Sequence, residues 1–355
     1  MKCTILTGPM AGHGGEETVI SKFTSLLNDK YDFDLCISLC IGDTDWVSKI
    51  SANFSSIYVN NNNNPFFKLY FIFNVLHRTK SEEIICLTPR MVFLAKVAQR
   101  LFFKKYKIIS WLQFAVSKKF DAKTAKMLKK ADYHLAISSG IFEELLLLDV
   151  PEDRVGLIYN PVTPKKRNIF PSSAKTKFLY IARIQFEKEK NLSELLSAFG
   201  LLKSNNKWTL DIYGADETND SKETTKCIEL AKKLNIEQNI KWHGWENEVW
   251  EKVQEADCLV LSSTNEGFGM VLCEAISYGI PVISSDCPVG PKDIVNKDNG
   301  YLYPMGDVQA LADYLSKFIN KETNFQTEKV KESIEEMYLN NYRSKVKSLL
   351  DHWGG

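Results

Sequence analysis

Several familiar signals are missing from this 355-residue chain. Eight cysteines occur, yet no two stand in C-x-x-C spacing and none joins a His at zinc-ligand intervals. This excludes a zinc ribbon or a thioredoxin-like redox pair, and leaves reduced, buried, cytosolic thiols as the expectation. No apolar run is long enough to cross a bilayer. The most apolar stretch, Phe66 to Leu76, is interrupted by Lys68 and falls well short of the roughly 20 residues a spanning helix needs. The chain opens on a strand-like Cys3-Thr4-Ile5-Leu6-Thr7, so no secretory leader is expected. Neither sign of charge is in excess: 45 Lys and Arg face 44 Asp and Glu, and nothing global argues for a nucleic-acid partner. With only 18 Gly and 11 Pro, collagen-like repeats are excluded, and low complexity is confined to Asn60–Asn64.

What is present reads as an α/β protein. The length favours two domains over one core. Short apolar runs alternate with amphipathic helical patterns, the signature of parallel sheets covered on both faces. Strands are predicted at Lys2–Thr7, Leu35–Leu39, Ile84–Leu87, Ile108–Trp111 and Tyr133–Ile137. The pattern breaks at Asn160-Pro161-Val162-Thr163-Pro164 and restarts. Strands then follow at Phe178–Ala182, Thr209–Tyr213, Ile240–His243, Cys258–Leu261 and Val282–Ser284. Expected domains are 1–160, 161–335 and a C-terminal helix, 336–355, packing back toward the first domain; helical periodicity runs from Val330 to Trp353. In open parallel sheets ligands bind beyond the carboxyl ends of the strands, so the site is expected in a cleft between the two domains, on residues that directly follow strands.

Three motifs stand at such positions. In Asn265-Glu266-Gly267-Phe268-Gly269-Met270-Val271-Leu272-Cys273-Glu274, the glycines allow close approach of a ligand to the backbone. The N–H groups of Phe268 to Val271 then open a helix, a geometry suited to a diphosphate. Glu266 and Glu274 can each hold hydroxyls of one extended ligand; a capped helix with two solvated carboxylates would read the same way. Arg183 directly follows a strand, with Lys188 and Lys190 ahead of the next helix. Such cations serve a leaving nucleoside diphosphate, although ordinary surface cations share the pattern. Gly8 to Glu17 forms a glycine-rich loop in which Glu17 takes the place of the third glycine of G-x-G-x-x-G, which argues against an NAD-dependent dehydrogenase. Asp43-Thr44-Asp45 matches the D-x-D of metal-dependent sugar transferases but reads as a polar turn. His134, in a strand beside Asp132, reads as structural.

Together these residues resemble the retaining glycosyltransferases of family 4, which have two Rossmann-like domains in the GT-B arrangement. The E-x₇-E element is Glu266 to Glu274, the strand-end Arg is Arg183, the Lys at the helix start is Lys190, and the amino-terminal G-G-x-E is Gly14 to Glu17. A closer likeness, to galactosyltransferases of lipopolysaccharide core synthesis, is carried by Ala131 to Ile141, Asn160-Pro161-Val162 and Gly290-Pro291-Lys292-Asp293-Ile294. The sequence departs from the family in having Ala182 before Arg183 and a longer step to Lys190, so that Lys188 competes for its role. Gln113 stands where the family often has a His near the donor sugar; it can hydrogen-bond a hydroxyl but cannot carry a proton.

The resemblance implies a UDP-hexose donor, UDP-galactose first, and a lipid-linked or glycan acceptor. Transfer is expected with retention, without metal or other cofactor, by internal return. Arg183, Lys190 and the Gly267–Val271 helix start would stabilise the departing UDP. Glu266 would hold the hexose and Glu274 the ribose. Gly14, Gly15, Gln113, Gly214 and Gly244 would complete the donor site. UDP-glucose and UDP-N-acetylhexosamine transfer, or epimerisation of a nucleotide sugar, are the alternatives. A non-catalytic nucleotide-sugar sensor is argued against by the intact Arg183, Lys190, Glu266 and Glu274 set. One further feature is local. Arg90 to Lys130 holds 12 Lys or Arg and a single acid, Asp121, interleaved with aromatics. This suggests peripheral contact with an anionic membrane, at the cytoplasmic face of the inner membrane, or simply a solubilising face.

Overall fold

A computed structural model describes residues 1–10, 15–41, 45–202, 207–216 and 220–354. The chain divides into two compact units, Met1–Pro161 with Leu339–Gly355, and Val162–Tyr338.

The first unit is built on seven strands: β1 (Lys2–Met10), β2 (Asp32–Cys40), β3 (Ser56–Val59), β4 (Glu83–Cys86), β5 (Lys107–Leu112), β6 (Tyr133–Ala136) and β7 (Val155–Leu157). They pair in the order β3-β2-β1-β4-β5-β6-β7, and every pairing is parallel. β1, β2, β4 and β5 are almost wholly buried, which is why they read as continuous apolar runs. Helix Gly15–Leu27 buries Val19, Ile20, Phe23 and Leu27, one stripe at helical spacing. Phe23 lies 4.4 Å from the fully buried Trp111. Two helix starts in this unit are capped by side chains: Asn64 accepts from the amides of Phe66 and Phe67, and Thr88 from that of Met91.

The single terminal helix expected from Val330 is two helices. Thr327–Glu332 ends in a short turn, Glu335–Met337; Tyr338 is extended, and a second helix runs from Leu339 to Gly354. This second helix joins the first unit. Tyr342, Val346, Leu350 and Trp353 are buried along one face. Trp353 stacks on Tyr133 at 4.6 Å, and Arg343 donates to the Leu26 carbonyl at 2.8 Å while meeting Asp29 at 2.7 Å.

The second unit holds β8 (Thr176–Ile181), β9 (Trp208–Tyr213), β10 (Ile240–Gly244), β11 (Cys258–Leu261), β12 (Val282–Ser285) and β13 (Gly300–Tyr303), paired in parallel as β10-β9-β8-β11-β12-β13. Helix Leu192–Gly200 buries Leu192, Leu195, Leu196 and Phe199. Phe199 stacks on Trp208 at 4.2 Å. Burying each of these large side chains contributes about 1.5–3 kcal/mol. Both sheets are Rossmann-like, and their strand order reverses between β1 and β4 and between β8 and β11, the places where such folds bind ligands.

Candidate functional site

In the second unit, Arg183 follows β8 and Ser262 to Glu266 follow β11, so the two motifs meet at the strand-order reversal. The loop Lys188–Asn191 is laced to the β11 loop. Thr264 N–H donates to the Glu189 carbonyl at 2.8 Å, and Ser262 Oγ donates to the Asn191 carbonyl at 3.0 Å. Lys190 N–H is held by Gln185 Oε1 at 3.0 Å, and Asn191 takes a left-handed backbone, φ 44°. So anchored, Lys190 sends its Nζ to Glu266 Oε1 at 2.5 Å, and Ser263 Oγ donates to the same oxygen at 2.6 Å. Both members of the pair are largely buried, with side-chain exposures of 16% and 9%. Lys188 turns elsewhere, to Glu223 at 3.7 Å, and is mostly exposed. Arg183 lies more open, 3.4 Å from Glu189. Burial and the Glu266 charge push the neighbouring Cys287 thiol up to about 12, so at neutral pH it holds its proton and is no nucleophile.

Gly269 caps the helix Met270–Ser277 with φ 101° and no side chain closes that helix start. Phe268 is buried, whereas Gly267, Met270 and Val271 are half-buried. Gly290, φ 97°, packs beneath: a Cβ there would fall 2.1 Å from the Phe268 carbonyl oxygen. Gly290 thus lets a second loop support the glycine turn. Glu274 accepts from Trp250 Nε1 at 2.9 Å, and Trp250 stacks on Tyr278. Gly214 and Gly244 lie side by side, Gly214 N–H donating to the Gly244 carbonyl at 2.7 Å. A Cβ on Gly214, φ 154°, would meet the Ala182 carbonyl oxygen at 1.9 Å. The next residues inward, Tyr213 and His243, stack at 4.3 Å, offering a flat face beside the paired glycines.

In the first unit, Gln113 follows β5. It is buried, and Asn160 Nδ2 donates to its Oε1 at 3.5 Å. β3 was not expected from the sequence, so the strand ahead of Gln113, the fourth of those expected, is the fifth of its unit. Gly15 opens the first helix. Burial and the neighbouring Glu17 push the Glu16 carboxyl up to about 7, with Lys119 opposing. Gly14, and Asp43 and Thr44 of the D-x-D tripeptide, lie outside the described residues. His134 is a core residue: its Nδ1 meets Ser110 Oγ at 2.6 Å, and burial holds the ring near 4, uncharged. All eight cysteines are buried, and none is in a disulfide. Among the described residues no helix is long and apolar enough to cross a membrane.

Sequence reasoning missed Ser263 and Trp250, and it named Asn160 and Gly290 only within the family likeness, without a role at the site. Ser263 could have been found, because it directly follows a strand. Trp250 reaches Glu274 only through the fold.

Comparison with known proteins agrees with this geometry. Residues 163–337 match the family of group 1 glycosyl transferases. Over 99% of its length the chain is 32% identical to the lipopolysaccharide 1,6-galactosyltransferase of Escherichia coli K12, covering 98% of that protein. The chain belongs to the group 1 glycosyl transferases. This glycosyl transferase is also 32% identical to the Salmonella typhimurium lipopolysaccharide 1,6-galactosyltransferase, with 95% of each chain covered. Its fold matches the lipopolysaccharide outer core galactosyltransferase WaaB, solved in apo form, at a TM-score of 0.86, 29% identity and 99% coverage of both chains. Anabaena HepE, solved with UDP, shares the fold alone, at a TM-score of 0.82 and 16% identity over 98% of this transferase and 100% of HepE. These neighbours establish the two-domain GT-B class.

Proposed function

We propose that the chain transfers galactose from UDP-galactose, with retention, to a sugar hydroxyl of a lipid-linked lipopolysaccharide acceptor. The observation that carries this reading is the Lys190–Glu266 pair at the strand-order reversal, 2.5 Å across, beside a helix start capped by Gly269 with no side-chain bond. The 32% identity to two lipopolysaccharide galactosyltransferases supports the choice of donor and acceptor.

In this reading residues 161–335 hold the donor and residues 1–160 the acceptor. The bond from the anomeric carbon to the UDP oxygen breaks, and negative charge grows on the diphosphate. Arg183, Lys190 and the amides opening Met270–Ser277 stabilise that charge. The acceptor oxygen bonds to the anomeric carbon on the same face, and its proton passes to the departing phosphate oxygen. Glu266 orients the hexose hydroxyls, Glu274 the ribose, and Gly214 and Gly244 border the base. The family likeness assigns Gly14, Gly15 and Gln113 to the donor as well. No metal is needed, because side-chain cations and backbone dipoles supply the positive field. The basic segment Arg90–Lys130 lies on the cytoplasmic leaflet of the inner membrane, where an acceptor built on phosphorylated lipid is found.

The test is a transfer and hydrolysis screen with UDP-galactose, UDP-glucose, UDP-N-acetylglucosamine and UDP-N-acetylgalactosamine, with NMR of the product anomer. UDP-galactose should turn over fastest and give the α-linked sugar. Preference for another donor, an inverted product, or a free epimer without acceptor overturns the corresponding part.

A further inference from the structure

The apolar run Phe66 to Leu76 has no part in the proposed donor chemistry. It forms helix Pro65–Arg78, whose core side is Ile72, Val75 and Leu76. Its first two turns point other large apolar groups into solvent: Phe66 is 81% exposed and Tyr70 67%, with Phe67 and Leu69 also open. A helix apolar on both faces at a protein surface is unusual unless something covers it. The strip continues at the far end. Phe73 and His77 pack against Phe102, and the adjoining Phe103, held at φ 53°, is 91% exposed.

The charges around the strip identify what covers it. No acid occurs from Trp46 to Ser81 or from Ile84 to Phe120, while these stretches hold four and eight Lys or Arg. Arg78, Lys80, Arg100 and Lys105 are exposed, and Lys104 Nζ ties the end of the helix by donating to the Thr79 carbonyl at 2.9 Å. A second copy seated on this face through a two-fold axis would set cation against cation. An anionic lipid surface matches both the rings and the charge. The helix also begins just beyond β3, on the carboxyl side of the first sheet, the side where ligands of such sheets lie.

We infer that helix Pro65–Arg78 and Phe103 form an aromatic wedge that inserts into the headgroup region of an anionic membrane, adding an apolar, salt-resistant hold to the attraction of the basic segment. The inference rests on the proposed lipid-borne acceptor, and its test is independent of sugar chemistry. Flotation uses phosphatidylcholine vesicles with 30% phosphatidylglycerol and no acceptor, at 50 and 500 mM salt. Wild-type protein should bind at both, several-fold less at high salt. A Phe66→Ser/Phe67→Ser/Tyr70→Ser variant should partition about 100-fold less at either salt, at roughly tenfold per removed ring or less. Arg100→Glu/Lys105→Glu should bind several-fold less than wild type at 50 mM salt and match it at 500 mM. All variants should bind UDP and turn over a detergent-dispersed acceptor as wild type does. Equal flotation of the serine variant and wild type overturns the wedge, as does a wild-type dimer in ultracentrifugation that the serine variant dissolves. Failure of every UDP-sugar to turn over sinks the proposed reaction while leaving the vesicle result standing.

Discussion

Glu266 and Lys190 hold each other, and this gives their variants opposite signatures. The pair is 2.5 Å apart and largely buried; Ser263 Oγ adds a 2.6 Å bond to the same Glu266 oxygen. If Glu266 holds the hexose as proposed, Glu266→Gln removes a charged hydrogen-bond acceptor, a loss of about 1.5–3 kcal/mol, roughly 10- to 150-fold in turnover. The same change releases Lys190 from its carboxylate. UDP affinity should therefore stay level or rise by a few-fold. On the proposed role of Lys190, Lys190→Met takes a cation from the diphosphate, and UDP binding should weaken about tenfold or more. That variant also strands a nearly buried carboxylate, so it should melt lower, by about 1–3 kcal/mol in stability once partial exposure is discounted. Calorimetric titration of UDP, steady-state kcat with UDP-galactose and thermal melts of both variants supply the three readouts. If Glu266→Gln weakens UDP as much as Lys190→Met does, the division between sugar-holding and phosphate-holding groups is wrong.

The proposed reaction should survive EDTA; loss of turnover with EDTA and its return with manganese would reinstate Asp43-Thr44-Asp45 as a metal site. Gly214→Ala drives a Cβ to 1.9 Å from the Ala182 carbonyl at φ 154°, so it should lower stability by about 1–3 kcal/mol or more and weaken UDP binding; an unchanged melt refutes the close approach. The Glu16 carboxyl is pushed from 4.5 up to about 7 by burial and Glu17. A carboxyl raised in the folded state binds its proton more tightly there than in the unfolded chain, so wild type loses stability as pH climbs from 4.5 to 7 and loses no more beyond. Glu16→Gln should match wild type near pH 4 and melt higher by a constant margin above pH 7. A gap that shrinks with rising pH contradicts the cause assigned.

Most strands visible in the sequence are interior ones, the largely exposed edge strand β10 being the exception. β1, β2, β4, β5, β8, β9, β11 and β12 have neighbours on either side and read as apolar runs. Three strands escaped: Ser56–Val59, Val155–Leu157 and Gly300–Tyr303. Each lies at the edge of its sheet and spans three or four residues. Ser56–Val59 is half-open along its length, so its composition carries no buried-strand signal. The site divides in the same way. Arg183, Glu266 and Glu274 stand at strand ends or along one short motif, where chain-local spacing suffices. Spacing could not rank Lys188 against Lys190. Tertiary contacts direct the two side chains apart: Gln185 and Ser262 pin the backbone at 190, while Glu223 draws Lys188 away.

The terminal segment failed for a different reason. Helical periodicity runs through Val330, Ile334, Met337, Tyr342 and Val346, and all five are buried, so one helix satisfied the pattern. The two halves of that stripe serve different cores. Val330 to Met337 belong to the second unit, and Tyr342 to Trp353 to the first. A straight helix would have to present one continuous face to a single core. The chain instead breaks at Tyr338, whose extended backbone lets it bridge to Val162; Val162 N–H donates to the Met337 carbonyl at 2.8 Å. The two points where the chain passes between units are thereby hydrogen-bonded neighbours. Periodicity reports that a residue is buried, and it cannot report in which core; only the pairing of Val162 with Tyr338, 176 residues apart in the chain, decides where the helix must end.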